Sequence, residues 1–578
     1  MLSRLSREKI MREFDLVVRG GTLVDGTGVP RYRADIAVKN GRVAMISGRI
    51  RAGAANEIDA RDCIVAPGAI DMHTHYDGQL NWDPYCTLSG WFGVTSLSIG
   101  QCGFGFAPTR PDDRELNMAM MNRIEAIPLV SMRQGMRWDW ETFPEYLNSL
   151  DAQGLGVNVA AMFPFAPLRG YVLGMHAARE RTAVTDKELT KMKGLFYEGM
   201  QAGAFGFASS MNTSDRAEDG GWLPGHKASD DEYLGLAEVL SQFGVGHIGW
   251  TIGRSGGLPD HRNPHNQRML LDKLMDVSGR PLHVDVDGDG FDDPWVARTR
   301  ALGRPVLTQE GVEQVVTYFT LAEYNAFDYM ANWVQPLVGG ASERAKKLRD
   351  PEIRAAMRAD TLAMRDSGRP EAMRTNWHNV TVTGVVKDHN DEFEGFSIAE
   401  VAARLAKDPL DAFLDLALDE DLLTEFSHPV DPGGTAEHVT FPYGHLSVSD
   451  GGAHVRFLEF CSWPVVCLSK WVRDEEVMTL EQAHYKISAL PAWLTSFKDR
   501  GTLRVGAWAD MMIYNQAELG LLYERPIFAN DFPGGKRRLI QKPTGLRHTV
   551  VNGEVTFKGN DCTGALPGQL LRSYDMLG

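Results

Sequence analysis

Short apolar runs recur along the chain, separated by polar turns or by stretches with helical spacing. Near the start the runs read as strands. Phe14-Asp15-Leu16-Val17-Val18 stops at Gly20-Gly21, and Asp35–Val38 and Val43–Ile46 flank Asn40-Gly41. Asn-Gly between two apolar runs is the strongest short hairpin signal. The same signature returns near the other end, where His548–Val551 and Glu554–Phe557 flank Asn552-Gly553, after a further strand at Ala509–Tyr514. These segments predict one small β-sandwich built from both ends of the chain. Between them strands alternate with helical stretches: Cys63–Ala66 running into His73–His75, then Trp91–Ile99, Gly156–Met162, Ala204–Ala208, Gly244–Ile248, Pro281–Val286, Pro305–Leu307 and His445–Asp450. Eight strands with helices between them predict a (β/α)₈ TIM-like barrel, whose chemistry lies at the C-terminal strand ends. Residues 311–440 exceed what a bare barrel needs and read as a mostly helical insertion before the last strand. The expected division is 1–66 and 499–578 for the two parts of the sandwich and 67–498 for the barrel with its insertion.

Composition narrows the class. The 578 residues are 43% hydrophobic and 24% charged, ordinary for a globular α/β protein. A net charge of -16 argues against a nucleic-acid partner, which would need a basic face. No run approaches the roughly 18 apolar residues of a membrane span. The charged first fourteen residues lack the apolar centre of a secretory signal, and six cysteines are sparse for this length. The expectation is a cytoplasmic protein in which a thiol serves a metal or catalysis rather than a disulfide. Self-association is left open.

The candidate chemistry starts at Pro67-Gly68-Ala69-Ile70-Asp71-Met72-His73-Thr74-His75. Strand side chains alternate, so His73 and His75 point to the same face. Two imidazoles at the end of a buried strand form half of a metal site, and imidazole suits zinc and its neighbours.

Asp71-Met72-His73-Thr74-His75-Tyr76-Asp77-Gly78-Gln79 and Gln101-Cys102-Gly103-Phe104-Gly105-Phe106-Ala107-Pro108 resemble the N-acyl-D-amino-acid deacylase branch of the metal-dependent amidohydrolase superfamily. The resemblance resumes at Ser449-Asp450-Gly451-Gly452-Ala453-His454 and at Asp499–Leu503 with Gly506–Asp510. It closes with Asn530–Gly535 and Thr563–Gly568, so it spans nearly the whole chain in order. It implies a barrel with a terminal β-sandwich and a divalent metal, zinc foremost, as one or two ions. It assigns His73 and His75 as metal ligands, Cys102 as the thiolate ligand of this branch, and Asp450 as both ligand and general base. One histidine at the end of each of the fifth and sixth strands is expected, which points to His247 and His283. Their surroundings, Ile248-Gly249-Trp250 after His247 above all, depart from the pattern. A histidine often found before the Leu-Arg of the third strand is missing from Pro164-Phe165-Ala166-Pro167-Leu168-Arg169.

His454 is expected to steady the tetrahedral intermediate or to hold Asp450. Arg169 and Arg254 follow predicted strands and could grip a substrate carboxylate with two bonds. The expected activity is hydrolysis of a small-molecule C–N amide, an N-acyl-D-amino acid or a similar N-acyl compound. Another linear or cyclic amide cut by the same machinery is the alternative, and a non-catalytic binding protein on this scaffold is a more distant one.

Overall fold

The structure, a computed structural model, describes residues 12–253, 260–286, 290–323, 326–430 and 433–577. Both Asn-Gly hairpins form. Asn40 and Gly41 adopt φ of 51° and 74°, and Asn552 and Gly553 adopt 47° and 81°. Left-handed values at both central positions give the two-residue turn whose twist matches its strands. Lys39 therefore faces Arg42, and Val551 faces Glu554.

The two hairpins belong to one nine-stranded sheet. Ile64–Pro67 joins its halves, running parallel to Arg12–Leu23 on one side and antiparallel to Met511–Tyr514 on the other. The edge formed by Arg42–Ser47 returns to the start of the C-terminal half: Val43 N donates to Ala507 O, and Ala509 N donates to Gly41 O. The sheet thus closes over a core that includes Leu16, Ile36, Val38, Met511, Ile513 and Val550. Glycine is required at position 41, because a Cβ there would lie 2.9 Å from the Asn552 carbonyl oxygen.

Eight parallel strands form the barrel. They are Ala69–Asp71 continued by His73–Thr74, Val94–Ile99, Asn158–Ala161 continued by Phe163–Pro164, Gly206–Ser210, His247–Thr251, Leu282–Asp285, Val306–Gln309, and Gly444–His445 continued by Val448–Gly451. Neighbours in sequence pair throughout. The circle closes where Val448 of the eighth strand pairs with His73 of the first. Helices Phe143–Gln153, Asp186–Gln201 and Asp230–Leu240 each begin with a capping box, set by Thr142 with Glu145, Thr185 with Glu188, and Ser229 with Glu232. These reciprocal bonds satisfy backbone donors that the first turn leaves free.

The fifth strand differs from the expected Gly244–Ile248. It begins at His247, because Gly244 and Gly246 take φ of 65° and 91° and break the extended path before it. His247 therefore stands at the closed end of its strand and Thr251 at the open end. The insertion is also less purely helical than expected. Its helices, Pro351–Arg365 and Pro409–Asp419 among them, pack with a three-stranded antiparallel sheet of Val316–Phe319, Glu425–Pro429 and Thr381–Gly384. It has its own core around Phe319, Phe327, Trp333, Phe413 and Phe426. It leans on the barrel mouth through Arg123–Asp328 at 2.7 Å and Arg456–Glu323 at 3.2 Å.

A buried polar knot fastens the sheet to the closed end of the barrel. Arg500 pairs with Asp510 and donates to Asn552 Oδ1 at 2.9 Å. Asp510 Oδ1 accepts from Asn552 N at 2.7 Å, and Asn552 Nδ2 donates to Asn158 Oδ1 of the third barrel strand at 2.8 Å. Breaking a buried pair leaves its partner charged and uncompensated. Asp510→Ala is expected to lower unfolding free energy by about 3–5 kcal/mol. Denaturant melts check this, and a loss under about 1 kcal/mol, the range of an exposed pair, would contradict it.

Candidate metal centre

Four side chains converge at the open end of the barrel. His73 and His75 come from the end of the first strand, as their spacing requires. Cys102 follows the second strand in a turn where Gly100, Cys102 and Gly103 all have positive φ, of 77°, 54° and 73°. Asp450, in the eighth strand, has φ of 53°. Left-handed backbone at two non-glycine residues costs about 1–3 kcal/mol each and gathers at functional sites. Here it turns Sγ and the carboxylate onto the histidines. His73 Nε2 lies 3.2 Å from Cys102 Sγ and 3.7 Å from Asp450 Oδ1, and His75 Nε2 lies 3.2 Å from Asp450 Oδ1. Zinc bond lengths of about 2.0 Å to nitrogen and 2.3 Å to sulfur, at tetrahedral angles, separate donors by roughly 3.3–3.6 Å. His73, His75 and Cys102, with ligand atoms within 4.8 Å of one another, form a set that suits a divalent cation of the zinc type, and Asp450 stands against the two histidines as a further carboxylate donor.

The outer nitrogen of each imidazole faces an oxygen, at hydrogen-bond distance for His73 only. His73 Nδ1 lies 2.8 Å from Gln309 Oε1, at the end of the seventh strand, so Nδ1 donates and Nε2 is left as the free donor atom. His75 Nδ1 faces Glu125 Oε1 at 3.7 Å, an ion-pair distance. Glu125 Oε2 is 3.5 Å from His454 Nε2, which in turn is 3.7 Å from Asp450 Oδ2. A carboxylate at the end of helix Arg114–Ile124 thus spans a candidate ligand and the histidine beside the candidate base.

Burial dominates the electrostatics. It pushes the Cys102 thiol up to about 12 and Glu125 up to about 8. It lowers His73 to about 4, against the opposing pull of Asp450. Burial also raises Asp450, but the bond and charge of His75 outweigh it and hold the carboxyl well below its ordinary value. A thiol this hard to ionise becomes a ligand only beside a positive charge such as a divalent cation.

The site opens into a cavity of ≈ 150 Å³. Besides the four donors and Glu125, its walls include Phe104, Phe460, Ser210, Asn212, Thr251 and Asp285. The sequence reading missed Glu125, Gln309, Thr251 and Asp285. Three of them end barrel strands, and Glu125 is the lone carboxylate in the apolar run Ile124-Glu125-Ala126-Ile127.

Other expected site residues lie elsewhere. His247 and His283 do not join the four donors. Both are buried in the barrel interior, at the first and second positions of their strands; the His247 ring nitrogens have no hydrogen-bond partner among the described residues, and the His283 ring lies 6.0 Å from that of His73, beneath it. The open ends of those two strands carry Thr251 and Asp285 instead. Arg169 is not available to a substrate. It sits in helix Phe165–Leu173, fully buried, with Nε 2.6 Å from Glu232 Oε2 and further bonds to the carbonyls of Ala178 and Arg181. Arg254 lies outside the described residues. His454 does line the cavity.

A closed eight-stranded barrel with histidines, a thiol and a carboxylate at its C-terminal mouth defines the class of metal-dependent barrel hydrolases. The chain belongs to the amidohydrolase family, whose model matches residues 56–557. An uncharacterised protein of Mycobacterium tuberculosis (strain ATCC 25618 / H37Rv) is 28% identical, over 97% of this chain and 94% of that one. The N-acyl-D-glutamate deacylase of Alcaligenes xylosoxydans xylosoxydans is 25% identical, over 97% of each chain. Among solved structures, an N-acyl-D-glutamate deacylase from Bordetella bronchiseptica, complexed with zinc and a phosphonate inhibitor, matches with a TM-score of 0.64 and 23% identity. The match covers 97% of this chain and 99% of that one.

The placement of Arg169 has a measurable consequence. Arg169→Ala would leave Glu232 buried without its partner, a change that costs about 3–5 kcal/mol. The expected outcome is a strongly destabilised protein whose folded fraction keeps an unchanged KM. A raised KM at unchanged stability would return Arg169 to the substrate.

Proposed function

We propose that the protein hydrolyses the C–N bond of an N-acyl compound, an N-acyl-D-amino acid or a close analogue, with a divalent cation, zinc foremost, held by His73, His75, Cys102 and Asp450. The observation that carries the reading is the convergence at the barrel mouth of His73, His75 and Cys102, whose ligand atoms lie within 4.8 Å of one another, with Asp450 Oδ1 3.7 Å from His73 Nε2 and 3.2 Å from His75 Nε2. Family membership and the activity named for the Alcaligenes relative support the choice of bond. The cation would supply Lewis acidity toward the substrate carbonyl and toward water.

The remaining work falls to the chain's own groups. Asp450 turns Oδ1 toward the two histidines and Oδ2 toward His454. Oδ2 is the atom that takes a proton from the attacking water and then hands it to the leaving nitrogen. His454, steadied by Glu125, keeps that carboxylate in place and can donate to negative charge growing on the carbonyl oxygen. Gln309 fixes the tautomer of His73. Phe104 and Phe460 belong to the apolar part of the cavity, and Asn212 offers hydrogen bonds to the acyl group and its amide. A volume of ≈ 150 Å³ holds a small acyl head, with the rest of the substrate toward the opening.

The substrate in this reading is a small molecule. A net charge of -16 disfavours nucleic acid, and among the described residues no helix is long and apolar enough to cross a membrane. A cytoplasmic setting belongs to the same proposal, supported by six free cysteines.

The test is a screen of N-acyl-D-amino acids and their L-forms, followed by comparison of wild type with Asp450→Asn on any substrate found. Asparagine keeps the shape but not the base. The expected outcome is a folded variant whose turnover falls by something like 10²–10⁴-fold, the usual worth of a general base. Unchanged turnover would remove Asp450 from the proton transfer.

A further inference from the structure

The metal reading leaves open how many ions the centre holds, and the surroundings of Cys102 decide between one and two. We infer that the protein holds a single divalent cation, with Thr251 occupying the side of the Cys102 sulfur that a second ion would need. This rests on the proposed ligand set and goes beyond it.

Two catalytic ions sit about 3.5–4 Å apart and share at least one ligand. In this cradle the shared ligand would be the thiolate, which would have to present sulfur in two directions. In one direction Sγ faces His73 Nε2 at 3.2 Å. In the other it meets Thr251 Oγ1 at 3.5 Å. That hydroxyl ends the fifth strand, so its place is set by the barrel backbone rather than by a movable loop. A neutral hydroxyl is a weak ligand for a zinc-type cation but a good hydrogen-bond donor to a thiolate. It completes the coordination environment of sulfur without a second charge.

The wall beyond Thr251 does not make up the difference. Among the described residues, it offers the carboxylates of Asp285 and Asp215 with the neutral side chains of Ser210 and Asn212, and these do not gather into a second group of close ligand atoms. The Ser210 hydroxyl is already committed, donating to Asp215 Oδ2 at 2.7 Å. The imidazoles of the same two strands are displaced toward the closed end. His247 precedes Thr251 by four residues, roughly 13 Å of extended chain, and His283 precedes Asp285 by two, roughly 7 Å. The strand register sets both lower in the barrel, His283 with its ring 6.0 Å from that of His73 and 4.6 Å from that of His445, and His247 beyond it. Among the described residues, His73, His75 and Cys102 are the one group of three or more histidine, cysteine or carboxylate side chains whose ligand atoms lie within 4.8 Å of one another.

The experiment is a titration of the metal-free full-length protein with cobalt(II), followed by the near-ultraviolet thiolate-to-cobalt absorbance. Metal retained per chain after desalting is measured in parallel. The expected result is a break at one equivalent and one ion retained, however large the excess. A break at two equivalents with two ions retained would overturn the single-ion inference while leaving the metal reading intact. No absorbance and no retained metal would overturn the metal reading itself. A second protein, Thr251→His with Asp285→His, supplies two imidazoles at the rim. Once shown to be folded by circular dichroism, it is expected to retain two ions, and retention of one would show that the fifth and sixth strand ends do not set the count.

Discussion

The pairing of the eighth barrel strand with the first is the constraint on which the site depends. Met72 N donates to Ser447 O at 3.0 Å and His75 N to Gly451 O at 2.7 Å. These backbone bonds bring together groups separated by most of the chain, and they set Asp450 against His73 and His75. The insertion before the eighth strand folds around its own apolar core, so it can lengthen the connection without disturbing that closure. The terminal sheet supports the opposite, closed end of the first strand, because Ile64–Pro67 is paired in the sheet immediately before the chain enters the barrel at Ala69. Gly68 N donates to Asp510 O at that junction.

The electrostatics follow from gathering ionisable groups in a dry place. Glu125, His75 and Cys102 are withdrawn from water, and each is pushed from its ordinary ionisation by burial or by the others. Such a cluster is costly to hold unless the charges are matched. A divalent cation among the four donors would draw the thiol to thiolate and hold the imidazoles neutral. Glu125 would then face the outer nitrogen of His75 as a ligating histidine's partner usually does. One carboxylate therefore connects the cation's ligand set to His454 and so to the proposed base.

The parts of the site written locally were legible in the sequence. His73 and His75 follow from strand periodicity, Cys102 and Asp450 from the motifs that carry the family resemblance, and both hairpins from Asn-Gly. The eight strands were legible as apolar runs, although their ends were not, and that uncertainty misplaced His247. A shift of three residues moves a side chain from the rim of a barrel to its floor, and the glycines at 244 and 246 that cause the shift look like ordinary strand neighbours in sequence. Arg169 was misread because Phe165–Leu173 turns helical straight after the third strand, carrying the guanidinium to Glu232, 63 residues away in sequence. Glu125 was invisible for a different reason. It reaches the site from the end of a helix in a long connection, and nothing local marks which buried carboxylate will meet a distant histidine.

The most direct measurement is the metal content of the purified full-length protein beside that of a His73→Ala, His75→Ala double variant, each checked for native secondary structure. The convergence at the barrel mouth requires bound divalent metal in the wild type and its loss in the variant, with the fold retained. Equal metal content in the two proteins would place the ion elsewhere and contradict the centre built here.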